Sequence, residues 1–410
     1  MTACPITADH QTAVPEQQLR AALIICELRR QVKIDRSYWL NLCNSPIDLM
    51  RLADTDGKSL LERANGALNE PAIRSVLNHS GFHRRVREQF RQAGRLGIRA
   101  LSWVDPDYPP RLRQISGFPL ILFVRGHLPL SVLASGPAVT IVGTRQPTAY
   151  GRSAVRRLVA DLSAAGLLVI SGLARGIDGL AHAECLRSGG RTLAVLASGL
   201  DRVYPDCHRE LLSSLLQGGL AISEHPPGTP PISRHFPARN RILSGLSDAT
   251  CVIEAARSSG SLITASFAAD QGRDVFAVPG SIFSAASQGC NQLIRDGAAV
   301  LLSAADVLSA LPQTALEIAA RLSAASVPSG RTDPSGQSPS AKHELSEFST
   351  DERNVLQTLA ARSLTFSELC EHGAMSASQL SVLLTRLEIA SLICHERGRY
   401  TLTDPASFCI

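Results

Sequence analysis

Residues 139–182 hold "VTIVGTRQPTAYG" and then "VISGLARGIDGLAH", two apolar, β-branched runs that each stop in a glycine-rich turn and pass into a helical pattern. A repeated strand–turn–helix unit permits few folds. A helix between two strands rules out a tight hairpin, so the strands must run parallel in a sheet with helices on both faces. The alternation continues. Runs at 192–196, 250–254 and 274–278 read as strands, and 152–164, 177–187 and 261–271 as helices. The expected class is α/β with a parallel-sheet core. In such sheets ligands bind beyond the carboxyl ends of the strands. The turns at 143–145, 171–176, 198–201, 254–261 and 279–281 all fall at such ends.

Several chemistries are excluded by what these turns lack. The only lysines are Lys33, Lys58 and Lys342, so the central region has no Walker-type phosphate loop. Neither first turn follows GxGxxG, which argues against a dinucleotide cofactor. There is no GxSxG elbow and no HExxH. "HAE" at His182 to Glu184 has no PCxxC partner and reads as one turn of a buried helix. Cys207 and His208 are adjacent in what reads as a helix start. The ten cysteines are scattered singly, which predicts reduced thiols in a cytoplasm, with no zinc cluster and no other metal. No apolar run reaches the roughly 18–20 residues of a membrane span. The N-terminal residues lack the pattern of a signal peptide.

What remains is a set of anion-receiving parts. Gly143 lets a phosphate approach the backbone, Thr144 and Tyr150 can donate, and Arg145 sits at a strand end. Ser171, Gly172 and Gly176 form a second turn with N–H groups at a helix start. "SSGSLIT" at 258–264 brings Ser259, Gly260 and Ser261 before a third helix. "HFPARNR" at 235–241 places Arg239, Asn240 and Arg241 beside Phe236. One phosphate does not need three turns and several arginines, whereas a polymer backbone does. An aromatic ring among arginines suits stacking a base while its backbone is held.

The flanks differ in character. Residues 1–136 carry an excess of about six positive charges, 137–310 about two, and 311–410 about three negative. Residues 19–100 read as helical, with Ser45 and Pro46 opening one helix. "HRRVREQFRQAGRLGI" forms another that ends at Gly97 and carries Arg84, Arg85, Arg87, Arg91 and Arg95, read as a solvated surface. A proline-punctuated connector with one strand at 120–124 leads into the core. Residues 325–343 form a Ser/Pro/Gly linker. Beyond it, a capping-box pattern from Ser349 to Glu352, two further helices and a hairpin around Gly398 look like a winged helix.

The central motifs "GTRQPTAYG", "SGLARGIDGLAH", "GGRTLAVLASGLDRVYP", "SEHPPGTPP", "FPARNRILSGLSDATCVIEAARSSGSLITA" and "GRDVFAVPGS…GCNQLIRDGAA" occur in one order over roughly 119–308. Together they resemble the DprA/Smf family of bacterial DNA-processing proteins. The resemblance implies an N-terminal helical SAM-like domain (1–105), an extended Rossmann-like DNA-binding domain (106–311), a flexible linker (312–344) and a winged-helix domain (345–410). It implies no enzymatic reaction and no cofactor. It implies single-stranded DNA and RecA recombinase as partners, a homodimer, and a role in protecting incoming strands and loading RecA during natural transformation. Carried over by motif, the DNA pocket takes in Arg145 with its turn, the turn from Gly172 through Arg175 to Gly176, Phe236, Arg239, Asn240, Arg241, and Ser259 to Ser261. Thr144 stands where serine is common, and Ser233 and Arg234 where some members have a lysine. Two other readings share this Rossmann variant. One is a nucleotide phosphoribohydrolase, for which Glu254 is the candidate carboxylate, here read as structural. The other is a nucleotide-sensing regulator whose winged helix binds duplex DNA.

Overall fold

Every strand–helix alternation in the central sequence becomes a parallel β–α unit in the computed structural model, which describes residues 80–312, 350–361, 363–372, 376–389, 393–396 and 398–402. The helices expected before residue 80, the linker and Ser349 lie outside the described residues. The chain divides into two compact units, one ending at Val327 and the other beginning at Pro328.

In the first unit, helix α1 (Ser80–Arg95) precedes strand β1 (Arg99–Ser102), short helix α2 (Pro110–Arg113), strand β2 (Ile121–Gly126) and short helix α3 (Ser131–Ser135). The core then runs β3 (Ala138–Val142), α4 (Ala149–Ala164), β4 (Leu168–Ser171), α5 (Ile177–Arg187), β5 (Arg191–Val195), α6 (Arg209–Gly218), β6 (Leu220–Ser223), α7 (His235–Leu246), β7 (Ala249–Val252), α8 (Ser261–Asp270), β8 (Asp274–Ala277), α9 (Gln288–Arg295), β9 (Ala299–Val300) and α10 (Ala304–Ala310). The sheet order is β1-β2-β6-β5-β4-β3-β7-β8-β9. Strands β3 to β9 pair parallel, while β1 and β2 add an antiparallel ribbon to the β6 edge.

Alternating side chains fill a core on each face of the sheet. Val139, Ile141, Val169 and Cys251 pack with Val155, Leu158, Val159 and Leu162 of α4 and with Ile177 and Ala181 of α5. Val142, Ile170, Leu193 and Val195 face the other way, onto Leu212 and Leu215 of α6 and Ile242, Leu243 and Leu246 of α7. Each face therefore holds about one residue in two along a strand, as a pleated ribbon requires.

From β3 the chain steps through β4 and β5 to β6, then returns across β3 to build β7, β8 and β9 on its other side. The loops leaving β3 and β7 diverge at this reversal, which opens a crevice at their carboxyl ends. The order of strands, and hence the place of the crevice, could not be read from alternation alone.

Three strands escape a pattern-based reading. The helical reading of 19–100 runs too far, because α1 ends at Arg95, Gly97 turns at φ +63°, and Arg99 and Ala100 enter β1. Strand β6 has four residues and β9 two, too short for a period to stand out. "HFPARNR" opens helix α7 despite its proline. Pro237 sits in the first turn, where backbone N–H groups have no intrahelical acceptor to lose.

The second unit comprises α11 (Thr350–Ala361), β10 (Leu364–Thr365), α12 (Phe366–His372), α13 (Ala377–Ile389), β11 (Ile393–Glu396) and β12 (Arg399–Leu402). Its sheet order is β10-β12-β11, and Leu356, Leu380, Leu384 and Ile393 share its core. Three helices with a terminal hairpin make this the expected winged helix.

Candidate functional site

The turn after β3 is locked from both sides. Thr144 N–H donates to the Glu254 carbonyl (2.7 Å), and the Thr144 carbonyl accepts from Ile177 N–H (3.1 Å). Gly176 takes φ +79°, and a Cβ there would strike the Thr144 carbonyl and come within 2.8 Å of Arg145 Cα. Only glycine fits both constraints. Gly176→Ala is expected to displace the 143–145 turn and to cost about 1–3 kcal/mol of stability, from backbone strain before any clash. Thermal unfolding of the variant checks it, and an unchanged melting temperature counts against the packing described. Gly143 is equally hemmed in, by the Ile177 side chain and the Glu254 carbonyl.

These turns open on a cleft of about 550 Å³. Its walls come from Gly143 to Arg145, Phe236, Arg239 and Asn240 of α7, the 256–261 turn, and Tyr204. Arg145 is exposed. Its guanidinium carbon lies 5.7 Å from the centre of the Phe236 ring, within range of a cation–π contact. Among the described residues Arg145 makes no ion pair. Tyr204 meets the same ring edge-on, with centroids 5.5 Å apart. The helices that follow the turns, α4, α5 and α8, all begin at this end of the sheet, so their positive dipole ends face the region of the cleft.

The three arginine-motif residues part company. On a helix, positions three and four apart share a face, so Phe236, Arg239 and Asn240 point toward the sheet edge together. Arg239 goes deepest, at 4% exposure. It donates to the carbonyls of Gly172 (2.8 Å) and Val195, and its Nε to Asn240 Oδ1 (3.3 Å). Burial pulls its pKa down to about 10, opposed by the charge on Asp178, so it remains a cation at neutral pH. Asp178 is buried too and accepts from the N–H groups of Gly172 (3.1 Å) and Ala174 (3.4 Å). Burial pushes its carboxyl above the usual range, against the pull of Arg239. Arg241, five positions from Phe236, points elsewhere. It forms a two-pronged pair with Glu224 (2.6 and 2.8 Å) and donates Nε to the Gly117 carbonyl (2.8 Å). It does not line the cleft.

The remaining positions divide in the same way. Asn240 Nδ2 donates to the Gly260 carbonyl (3.3 Å), tying α7 to the 258–261 turn, where the Ser259 and Ser261 hydroxyls pair at 2.7 Å. Ser171 is buried and spends its hydroxyl on the Ile141 carbonyl, and Gly172 packs on the Arg239 guanidinium. Arg175 is exposed on its turn. Tyr150 donates to the Pro279 carbonyl (2.7 Å) and lies outside the cleft wall. Glu254 takes its expected structural part, accepting from Thr148 N–H (2.8 Å) and Thr148 Oγ1 (2.6 Å). His182 is buried on α5 with Nδ1 2.7 Å from Thr192 Oγ1, and burial lowers its pKa to about 3. Two polar residues of the cleft lining, Tyr204 and Asp178, are not marked by the sequence motifs. Tyr204 stands three positions beyond a flagged strand-end turn, which was the only local signal for it. Asp178 had none.

Among the described residues no group of three or more side chains is placed to hold a metal, and no helix is long and apolar enough to cross a membrane. Cys185, Cys207, Cys251, Cys290 and Cys370 are unbridged.

Comparison with known proteins matches residues 99–312 to the family of DNA recombination-mediator protein A and residues 337–399 to the DprA winged helix domain. DNA processing protein DprA of Bacillus subtilis (strain 168) is 43% identical over 217 residues, which is 53% of this chain and 72% of that one. Protein Smf of Synechocystis sp. (strain ATCC 27184 / PCC 6803 / Kazusa) is 36% identical over 308 residues, 72% of this chain and 77% of the relative. The X-ray structure of DNA processing protein A from Streptococcus pneumoniae aligns with a TM-score of 0.53 at 31% identity, covering 73% of this chain and 95% of that one.

Proposed function

The chain belongs to the family of DNA recombination-mediator protein A, and from that premise we propose that it is a single-stranded DNA-binding protein that protects incoming strands during natural transformation and loads RecA recombinase onto them. The observation that carries this reading is the exposed Arg145 cation held over the Phe236 ring with Tyr204 beside it. A cation serves a phosphate and a ring serves a base, and a nucleic-acid strand presents both at every step. The rings favour a single strand, because base faces are open to side-chain stacking only when the bases are unstacked from their neighbours.

Against the enzyme reading, both oxygens of its candidate carboxylate, Glu254, accept from Thr148 in a buried site. The duplex-binding reading gains little from the winged helix. The exposed positions of α13 include Ser378, Gln379, Ser381, Val382 and Thr385, with Arg386 as their one cation, too little charge for a phosphate backbone. A loader must place its partner on a strand that it already holds, and a two-fold dimer can hold two stretches at once. The β9 edge supports such a contact, with Val300 and Leu302 exposed there. A cytoplasmic setting accords with these partners.

The test is a titration with labelled oligothymidine and with a duplex of matched length, each with and without RecA, together with light scattering. The single strand should bind more tightly, RecA assembly on it should quicken, and the scattering mass should be that of a dimer at micromolar concentration. A preference for duplex, or the monomer mass with and without DNA, counts against the corresponding part of the proposal.

A further inference from the structure

We propose that Ile282 and Phe283, on the loop after β8, form a stacking platform that carries the bound strand beyond the cleft. This rests on the single-stranded DNA reading of the cleft itself. At 77% and 93% exposure they are the two most exposed large apolar side chains among the described residues. An apolar dipeptide on a slack loop would fold back onto the protein. This loop is pinned instead. Asn291 grips Gly280 twice, its Oδ1 accepting from Gly280 N–H (3.2 Å) and its Nδ2 donating to the Gly280 carbonyl (3.0 Å). Tyr150 donates to the Pro279 carbonyl. At the tip, Ser281 Oγ accepts from Phe283 N–H (3.2 Å) and the Ser281 carbonyl from Ser284 N–H (3.0 Å). The loop backbone is thus ordered before binding, which lowers the entropic cost of presenting the ring.

The anchors place the loop beside the cleft. Tyr150 stands in the first turn of α4, directly after the Arg145 turn. Gly289 N–H donates to the Ala255 carbonyl (2.7 Å), and Gly289 is packed so close to Ala256, a cleft residue, that a Cβ would lie 2.7 Å from its carbonyl oxygen. In the sheet, β8 adjoins β7 and β7 adjoins β3, so the loop lies about two strand spacings, roughly 10 Å, along the edge from the Arg145 turn. Residues 279–291 contain no charged side chain, so nothing there repels phosphates. Arg257 is exposed on the intervening 254–261 turn. An exposed cation and an exposed ring thus stand on neighbouring turns farther along the edge, and an aromatic face accepts any base.

The experiment measures the affinity of the full chain for oligothymidines of increasing length, for the parent, Phe283→Ala, Phe283→Trp and Arg145→Ala. The parent should gain affinity as the strand outgrows the cleft. Phe283→Ala should match the parent on the shortest strand that binds and fall about 5-fold or more behind it on longer ones, with an unchanged salt slope. Phe283→Trp should restore the gain. The proposal is overturned if lengthening brings no gain, if Phe283→Ala follows the parent at every length, if it loses equally at all lengths, or if its change tracks self-association measured in the same samples. Because Phe283 is so exposed, the melting temperature should stay that of the parent. Failure of the cleft reading shows separately, as parent-like binding of short strands by Arg145→Ala.

Discussion

Replacing Arg239 by alanine should cost the fold about 2–6 kcal/mol, roughly 1–3 for each buried carbonyl left without its donor. The guanidinium spans the carbonyls that end β4 and β5, at Gly172 and Val195, and its charge opposes the desolvation of Asp178. Alanine would leave two buried carbonyls without this donor and a buried carboxylate without its cation. Urea denaturation reads the loss. A double variant, Asp178→Asn with Arg239→Ala, should be less destabilised than the sum of the two single changes, since the unpaired charge is gone. The pH dependence has a definite sign. Asp178 is already held above the usual carboxylate range by burial, and losing Arg239 raises it further. The folded variant then holds a proton that the unfolded chain releases, so its deficit relative to the parent should widen as the pH rises from the ordinary Asp range toward neutrality. An Arg239→Ala protein of parental stability, with weakened strand binding alone, would mean that this arginine serves the ligand and not the scaffold.

Arg145→Ala should weaken single-strand binding by about 1.5–3 kcal/mol, the worth of a charged hydrogen-bonded contact, and should flatten the dependence of log affinity on log salt by roughly 0.7, one phosphate's share on a single strand. Arg241→Ala should leave that slope near the parent's, because its guanidinium is already neutralised by Glu224 and turned away from the cleft. Phe236→Ala should lose about 1–3 kcal/mol of stacking with the slope kept. Affinity for one oligothymidine at several salt concentrations separates the three. If Arg145→Ala keeps both affinity and slope, the turn after β3 does not meet the strand. If Arg241→Ala flattens the slope instead, Glu224 gives way when DNA binds.

Much of this is legible in the sequence, and for a local reason. Strand and helix periods, strand-end turns and capping residues express themselves within a few residues, so the parallel sheet, the glycine turns gathered at one end of its strands and the winged helix could be read from pattern. The structural reading of Glu254 succeeded similarly, from its place at a strand end near turn amides. The short strands β6 and β9 failed the same test, being too brief to show a period.

What the sequence by itself determined is the set of parts: parallel β–α units, glycine turns at the strand ends, and an arginine-rich motif beside an aromatic residue. Only the tertiary structure decided what each part does. "FPARNR" reads as one cluster of donors, yet a rotation of about 100° per helical residue sends Arg239 under the turns and Arg241 toward Glu224. The exposed cation at the cleft comes from Arg145, a different turn, and the second ring from Tyr204, a different loop. The reversal of strand order that opens the cleft rests on pairings between residues more than a hundred positions apart, such as Val139 with Ala249. Burial and charge pairing are properties of neighbours in space, and no stretch of sequence contains them.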